Sequence, residues 1–154
     1  MMKSIAFCWK KYITLSLFAL LCSINSLYAG SLEDAILKYT NEYRQSKGKP
    51  ALQRNAAAAD QAENHSRNMA SGRTAFGHSG FSERVKAVSR RSGKISAAAE
   101  NVAYGQPDAE SVVKGWIKSK QHRKNMLGNY NQIGIGVAKN KNGTLYFTQL
   151  FLKQ

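Results

Sequence analysis

The sequence predicts an α+β fold in which helices come first and a β-hairpin closes the chain. Three observations predict it. Apolar residues recur at helical spacing over 32–46, 54–71 and 107–120. Near the end the period changes: Ile133, Ile135 and Val137 alternate with Gly134 and Gly136, and Leu145, Phe147 and Phe151 alternate with Tyr146, Thr148 and Leu150. Between those runs stands Asn142-Gly143, a strong short-range hairpin signal. With 154 residues the chain suits one domain, and with 43% apolar and 21% charged residues it is neither a disordered tail nor a multi-span membrane protein.

The first helix, 32–46, carries Leu32, Ala35, Ile36, Tyr39 and Tyr43 on one face and stops at Lys47-Gly48-Lys49-Pro50. The second, about 54–71, is alanine-rich, with Ala58, Ala62, His65 and Met69 aligned. Residues 73–80 are glycine-rich and irregular. A short helix is expected from Ser82 to Ser89, with Val85 and Val88 inward, followed by a basic loop over 90–99 that leads to Glu100-Asn101. Pro107 and the acidic pair Asp108 and Glu110 favour a helix start, because negative charge suits the N-terminal end of the dipole. That helix, 107–120, buries Ala109, Val112, Val113, Trp116 and Ile117, and a helical turn follows over 121–127. Gly134 and Gly136 leave one face of their strand bare, where another backbone or a ring can approach closely.

Residues 1–29 read as a secretory signal peptide, leaving 30–154 as the folded domain. Lys3, Lys10 and Lys11 precede an uncharged run from Tyr12 to Ile24, and Leu27-Tyr28-Ala29 offers cleavage after Ala29. An uncleaved anchor and a lipoprotein at Cys22 are the alternatives. The apolar run is shorter than the roughly 20 residues of a spanning helix, and Leu21 stands where a lipoprotein has a small residue. The expectation is a secreted or periplasmic protein with no transmembrane segment in the mature chain. Cleavage removes both cysteines, Cys8 and Cys22, so the mature domain has no disulfide, thiol nucleophile or cysteine ligand.

The whole chain carries +14; without residues 1–29, 20 basic side chains stand against 9 acidic ones, a net of +11. Such a charge draws a protein to polyanions. The basic residues cluster in Arg84–Lys94 and Lys114–Lys124, read as a solvated basic face that suits an anionic envelope component or lipid. Neither cluster interleaves aromatics as a base-stacking surface would, and no DNA-reading motif is present, so specific nucleic-acid binding is not expected. A monomer is expected.

Three histidines remain for chemistry. His65 falls on the alanine–methionine face of its helix, the ordinary place of a satisfied core histidine, whereas His78 and His122 lie in polar stretches at element boundaries. No G-x-S-x-G elbow, His-Glu-x-x-His helix, phosphate loop or dinucleotide fingerprint is present. By spacing alone, His78, Glu100 and His122 are three candidates 22 residues apart.

Several segments, in order, resemble the CAP superfamily of cysteine-rich secretory, antigen 5 and pathogenesis-related 1 proteins, in its short bacterial form. They are Asn41-Glu42-Tyr43-Arg44 with Pro50-Ala51-Leu52, then Ala62-Glu63-Asn64-His65-Ser66-Arg67-Asn68-Met69-Ala70 and Phe76-Gly77-His78-Ser79. Ala99-Glu100-Asn101-Val102-Ala103-Tyr104-Gly105, Val113-Lys114-Gly115-Trp116-Ile117 and His122-Arg123-Lys124-Asn125-Met126-Leu127 follow. Ile133-Gly134-Ile135-Gly136-Val137 and Tyr146-Phe147-Thr148-Gln149 complete the series, which runs from about 36 to 151.

The resemblance implies a three-layer α-β-α sandwich around a small antiparallel sheet, with a central cleft. The family's cleft usually carries two His and two Glu, which in some members bind a divalent metal such as zinc. Carried over, the first His is His78, the first Glu is Glu100 and the second His is His122. The second Glu has no match, since Trp116 is followed by Ile117-Lys118-Ser119, and His65 is not one of the four. Two imidazoles and one carboxylate form the ligand set of many catalytic zinc sites. Three readings compete: a hydrogen-bonded network of structural purpose, a metal site without turnover, and a metal-dependent hydrolase. In the last, His78 and His122 hold zinc and Glu100 is a ligand or general base. The favoured function is an exported binding module of the envelope or extracellular space.

Overall fold

The structure is a computed structural model and describes residues 31–154; the expected leader, 1–29, lies outside the described residues. Five helices and four strands follow in the order α1 (Leu32–Ser46), β1 (Gln53–Arg54), α2 (Ala56–Ala70), α3 (Phe81–Ser92), β2 (Ala97–Tyr104), α4 (Ala109–Lys118), α5 (Lys120–Met126), β3 (Gln132–Lys139) and β4 (Leu145–Lys153). Local chemistry sets several boundaries. The Asn55 side chain caps α2 by accepting from Ala58 N at 2.9 Å, and Asp108 caps α4 by accepting from Ser111 N at 2.8 Å.

The strands form one sheet in the order β1-β3-β4-β2. β3 and β4 are the expected hairpin, and β2 runs antiparallel to β4 from Ala97↔Lys153 to Tyr104↔Tyr146. The sheet is mixed rather than purely antiparallel, because β1 lies parallel to β3 for two residues. The chain leaving α1 crosses the sheet edge there, and two residues are too few to leave an alternating pattern in the sequence. A second correction concerns 90–99, expected to be a loop: α3 continues to Ser92 and β2 begins at Ala97. Ala97-Ala98-Ala99 has no alternation to mark a strand; its pairing along β4 makes it one.

Two apolar layers enclose the sheet. On one side Ile36 of α1, Val112, Val113 and Trp116 of α4, and Met126 of α5 pack against Ile133, Ile135, Phe147 and Phe151. On the other, Ala57, Ala58 and Ala62 of α2 and Val88 of α3 pack against Leu150 and Leu152. The fold is therefore a three-layer α-β-α sandwich. The bare glycine face receives α2: a Cβ on Gly134 would overlap the backbone of Ala58 and Ala59, and one on Gly136 that of Ala62 and Glu63. Backbone lies against backbone there, and Ser66 Oγ donates to Gly136 O at 2.9 Å.

Three polar side chains, Arg44 and Asn101 buried and Asn125 half-buried, then fix the edges of the cleft. The guanidinium of Arg44 donates to the carbonyls of Pro50 (2.9 Å), Met126 (2.7 Å), Gly128 (3.1 Å) and Tyr130 (3.3 Å), tying α1 to the end of α5. Asn101 Nδ2 donates to Gln149 Oε1 and to His122 O, both at 3.2 Å. Asn125 Nδ2 donates to Asn101 Oδ1 at 2.9 Å and to Glu100 O at 3.1 Å, so α5 is held against β2 by the residues adjoining the candidate site.

Candidate functional site

Glu100 sits in the middle of β2 with its carboxylate pointing into a polar cluster, its side chain only 1% exposed. An isolated buried carboxylate is costly, and this one is fully partnered. Arg84 of α3 meets it in a two-pronged pair, Nε to Oε2 at 2.9 Å and Nη2 to Oε1 at 2.8 Å. His78 Nδ1 donates to Oε1 at 2.9 Å. His65 Nε2 lies 4.0 Å from the same oxygen and donates to Gly77 O at 2.8 Å.

The sequence folds this way because the irregular stretch before α3 wraps around the carboxylate. Gly77 (φ 143) and Gly80 (φ 76) take backbone conformations that side-chain-bearing residues rarely adopt. Their turn presents the Gly77 carbonyl to His65 and the Ser79 carbonyl to Arg84 Nη1, the latter at 2.8 Å. One guanidinium thus neutralises Glu100 and stitches the loop that carries His78.

His78, Glu100 and His122, the three residues singled out from the sequence, do line one concavity of about 380 Å3, with Gln121 and Asn125 beside them. The structure adds two residues that the sequence did not place there. His65 was expected in the core, and it is buried, yet it stands beside Glu100. Arg84 was counted in a solvated basic face but is nearly buried, its side chain 10% exposed. Its only sequence signal was a position one helical turn after Gly80, at the start of a helix next to the glycine-rich stretch.

The histidines differ in environment. Burial pushes His65 below its ordinary value, with the nearby Arg84 charge acting in the same direction and the Gly77 hydrogen bond opposing it. Burial also lowers His122, helped by the charge of His78. Both rings favour the neutral form. With Nδ1–H given to Glu100, His78 turns Nε2 toward the open side, and its side chain is 52% exposed.

As placed, this donor set does not fit a divalent metal. Both oxygens of Glu100 are committed to a guanidinium, so a cation would have to displace Arg84 and would meet its positive charge. Ile117-Lys118 follows Trp116 where a second carboxylate would be needed. Among the described residues, no group of three or more His, Cys, Asp or Glu is arranged to hold a metal ion. Further positive charge borders the cleft, where Lys120, Arg123 and Lys124 line an adjoining concavity that shares Gln121. What the arrangement offers is an oriented imidazole edge, amide donors and a cationic rim.

An α-β-α sandwich with a His–Glu cleft defines a class of protein, and comparison with known proteins agrees. The profile of the CAP, cysteine-rich secretory protein family matches residues 37–151. The chain belongs to that family. It is 32% identical over 127 residues to the uncharacterized membrane protein YlbC of Bacillus subtilis, covering 79% of this chain and 34% of that protein. It is 33% identical over 123 residues to the uncharacterized protein YkwD of the same species, covering 78% of this chain and 46% of that one. Among solved structures, an extracellular protein containing an SCP domain from Bacillus anthracis superposes with a TM-score of 0.70 at 27% identity, covering 80% of this chain and 40% of that one. The chain spans less than half the length of these relatives.

Proposed function

We propose that this protein is an exported binding module whose cleft recognises a ligand without turning it over. The observation that carries the reading is the two-pronged Arg84–Glu100 pair, which occupies the one carboxylate a metal-dependent mechanism would need. Export is supported by the leader-like segment 1–29 and by the likeness to an extracellular protein. The net charge of +11 without that segment favours an anionic component of the envelope or extracellular space as partner. Arg90, Arg91 and Lys94 extend the positive surface, although Arg91 is paired with Asp60 at 2.7 Å.

Calorimetric zinc titration of the purified protein tests the reading, beside His78→Ala, His122→Ala and Arg84→Gln. The expected result is no sub-micromolar site in the parent, with both histidine variants folded. Stoichiometric tight binding lost in each histidine variant would sink the proposal and bring forward a zinc-dependent hydrolase. One observation favours that second reading: His78 is backed by a carboxylate at Nδ1 and half-exposed, the arrangement of many metal-binding imidazoles. It requires hydrolysis that disappears with chelator and in His122→Ala.

A further inference from the structure

Phe76 and Tyr104 are the two large hydrophobic side chains that stand exposed among the described residues, at 49% and 52%. They are not scattered. Their rings meet edge to face with centroids 4.8 Å apart, and Tyr104 stacks on Tyr146, its register partner on β4, at 5.5 Å and 18°. Single exposed apolar side chains need no explanation, but a continuous strip of three rings does.

Each end of the strip opens into a concavity of different chemistry. At one end, Phe76 and Tyr104 line a hollow of about 330 Å3 that reaches His122 and so borders the cleft. Gln106 lines that hollow, and its side-chain Oε1 is buried with no hydrogen-bond partner among the described residues. A buried polar atom left unpaired is costly and in a native protein asks for an explanation. At the other end, Tyr146 lines a hollow of about 530 Å3 together with Arg67, Lys139 and Lys141. Arg67 is paired with Glu63, whereas neither lysine has an acidic partner among the described residues.

We propose that this strip binds an acidic polysaccharide, with sugar rings packed on Phe76 and Tyr104, a hydroxyl donating to Gln106, and a carboxylate or phosphate substituent held by Lys139 and Lys141. Aromatic rings attract the polarised C–H groups of a sugar, amides match its hydroxyls, and ammonium groups match its anionic substituent. Rival occupants fit less well. An extended peptide would add to the free edge of β2, but the Glu100 and Val102 carbonyls already accept from Asn125 and Trp116. A single-stranded nucleic acid stacks flat bases on aromatic faces, whereas Phe76 and Tyr104 meet edge to face at 67° and form no continuous stacking platform. The inference rests on the binding reading above and names its ligand class, and its test is independent of zinc.

Binding of oligogalacturonate is measured by calorimetry on the whole protein, with a neutral glucan oligomer, oligothymidylate and phosphatidylglycerol vesicles as parallel probes. The expected result is oligogalacturonate binding that weakens about tenfold in Tyr104→Ala and in Phe76→Ala, and again in Lys139→Gln/Lys141→Gln. The neutral oligomer should bind more weakly but with the same dependence on Tyr104. Arg90→Gln/Arg91→Gln/Lys94→Gln, which trims the wider positive surface, should weaken binding less than Lys139→Gln/Lys141→Gln does. Because Phe76 lies in an exposed loop, its variant keeps the test valid where Tyr104→Ala loses the fold. No oligogalacturonate binding at millimolar concentration overturns the proposal. So does loss in the 90/91/94 variant alone, which would leave a charge-driven binding module standing without this groove. Tighter, Tyr104-dependent binding of oligothymidylate or of vesicles would give the strip to nucleic acid or lipid and equally overturn it.

Discussion

Arg84 and Glu100 meet side by side, with Nε to Oε2 at 2.9 Å and Nη2 to Oε1 at 2.8 Å, and neither side chain is more than 10% exposed. Removing one partner of such a pair is worse than removing both, because a lone buried charge keeps its desolvation penalty and loses its compensation. Arg84→Ala should therefore cost about 3–5 kcal/mol in urea denaturation. Arg84→Met combined with Glu100→Leu should recover a large part of that loss, while leaving the Ser79 carbonyl and His78 Nδ1 unpaired. A double variant as unstable as Arg84→Ala would mean that loop anchoring, not charge pairing, dominates.

Arg44 does a different job with the same functional group. Among the described residues it has no carboxylate partner; its donors serve four backbone carbonyls between Pro50 and Tyr130, and burial lowers its pKa from the ordinary value. Arg44→Met should destabilise by about 3 kcal/mol, since several inward carbonyls lose their donor at once. Arg44→Lys should restore only part, because an ammonium cannot span the fork. Amide exchange over Met126–Tyr130 should quicken in both, and unchanged exchange there would show that α5 does not depend on this arginine.

Gly136 is a test of how closely α2 approaches the sheet. The obstacle to a Cβ there is the backbone of Ala62 and Glu63, which cannot swing away as a side chain could. Gly136→Ala should cost about 3 kcal/mol or more, the upper end for overpacking. The same change at Gly115, where a Cβ meets nothing within 4 Å, should be neutral or slightly stabilising in thermal melts, since alanine is the better helix former.

These sites also show what the sequence made legible. Helix α1 was bounded correctly because its apolar spacing and its stop at Lys47-Gly48 agree. Gly134 and Gly136 announced a close approach without naming the helix that makes it. β2 was hidden because Ala97-Ala98-Ala99 has no period and the next residues, Glu100 and Asn101, are polar yet buried. His78, Glu100 and His122 were found by motif, and the structure brings them to one concavity. Arg84 was missed because composition places an arginine that precedes six basic and polar residues over 85–94 on a surface, whereas only the fold reveals that α3 turns it toward a carboxylate 16 residues away.

The two shielded histidines set the pH response. Burial, the largest cause at both, lowers His65 and His122 from 6.5, so the folded protein keeps these rings neutral where the unfolded chain protonates them. Above about pH 6.5 both states are neutral and these rings contribute nothing to the pH dependence. As pH falls below that value the unfolded state binds more protons, and stability declines until the folded pKa is reached. Each unit of lowering corresponds to about 1.4 kcal/mol. The melting temperature should fall between pH 7 and pH 5, and the fall should be shallower in His65→Gln, whose amide can still donate to Gly77. A parent protein that gains stability over that interval, or a His65→Gln variant with an unchanged slope, would show that His65 takes up a proton in place and that Glu100, 4.0 Å away, holds it charged.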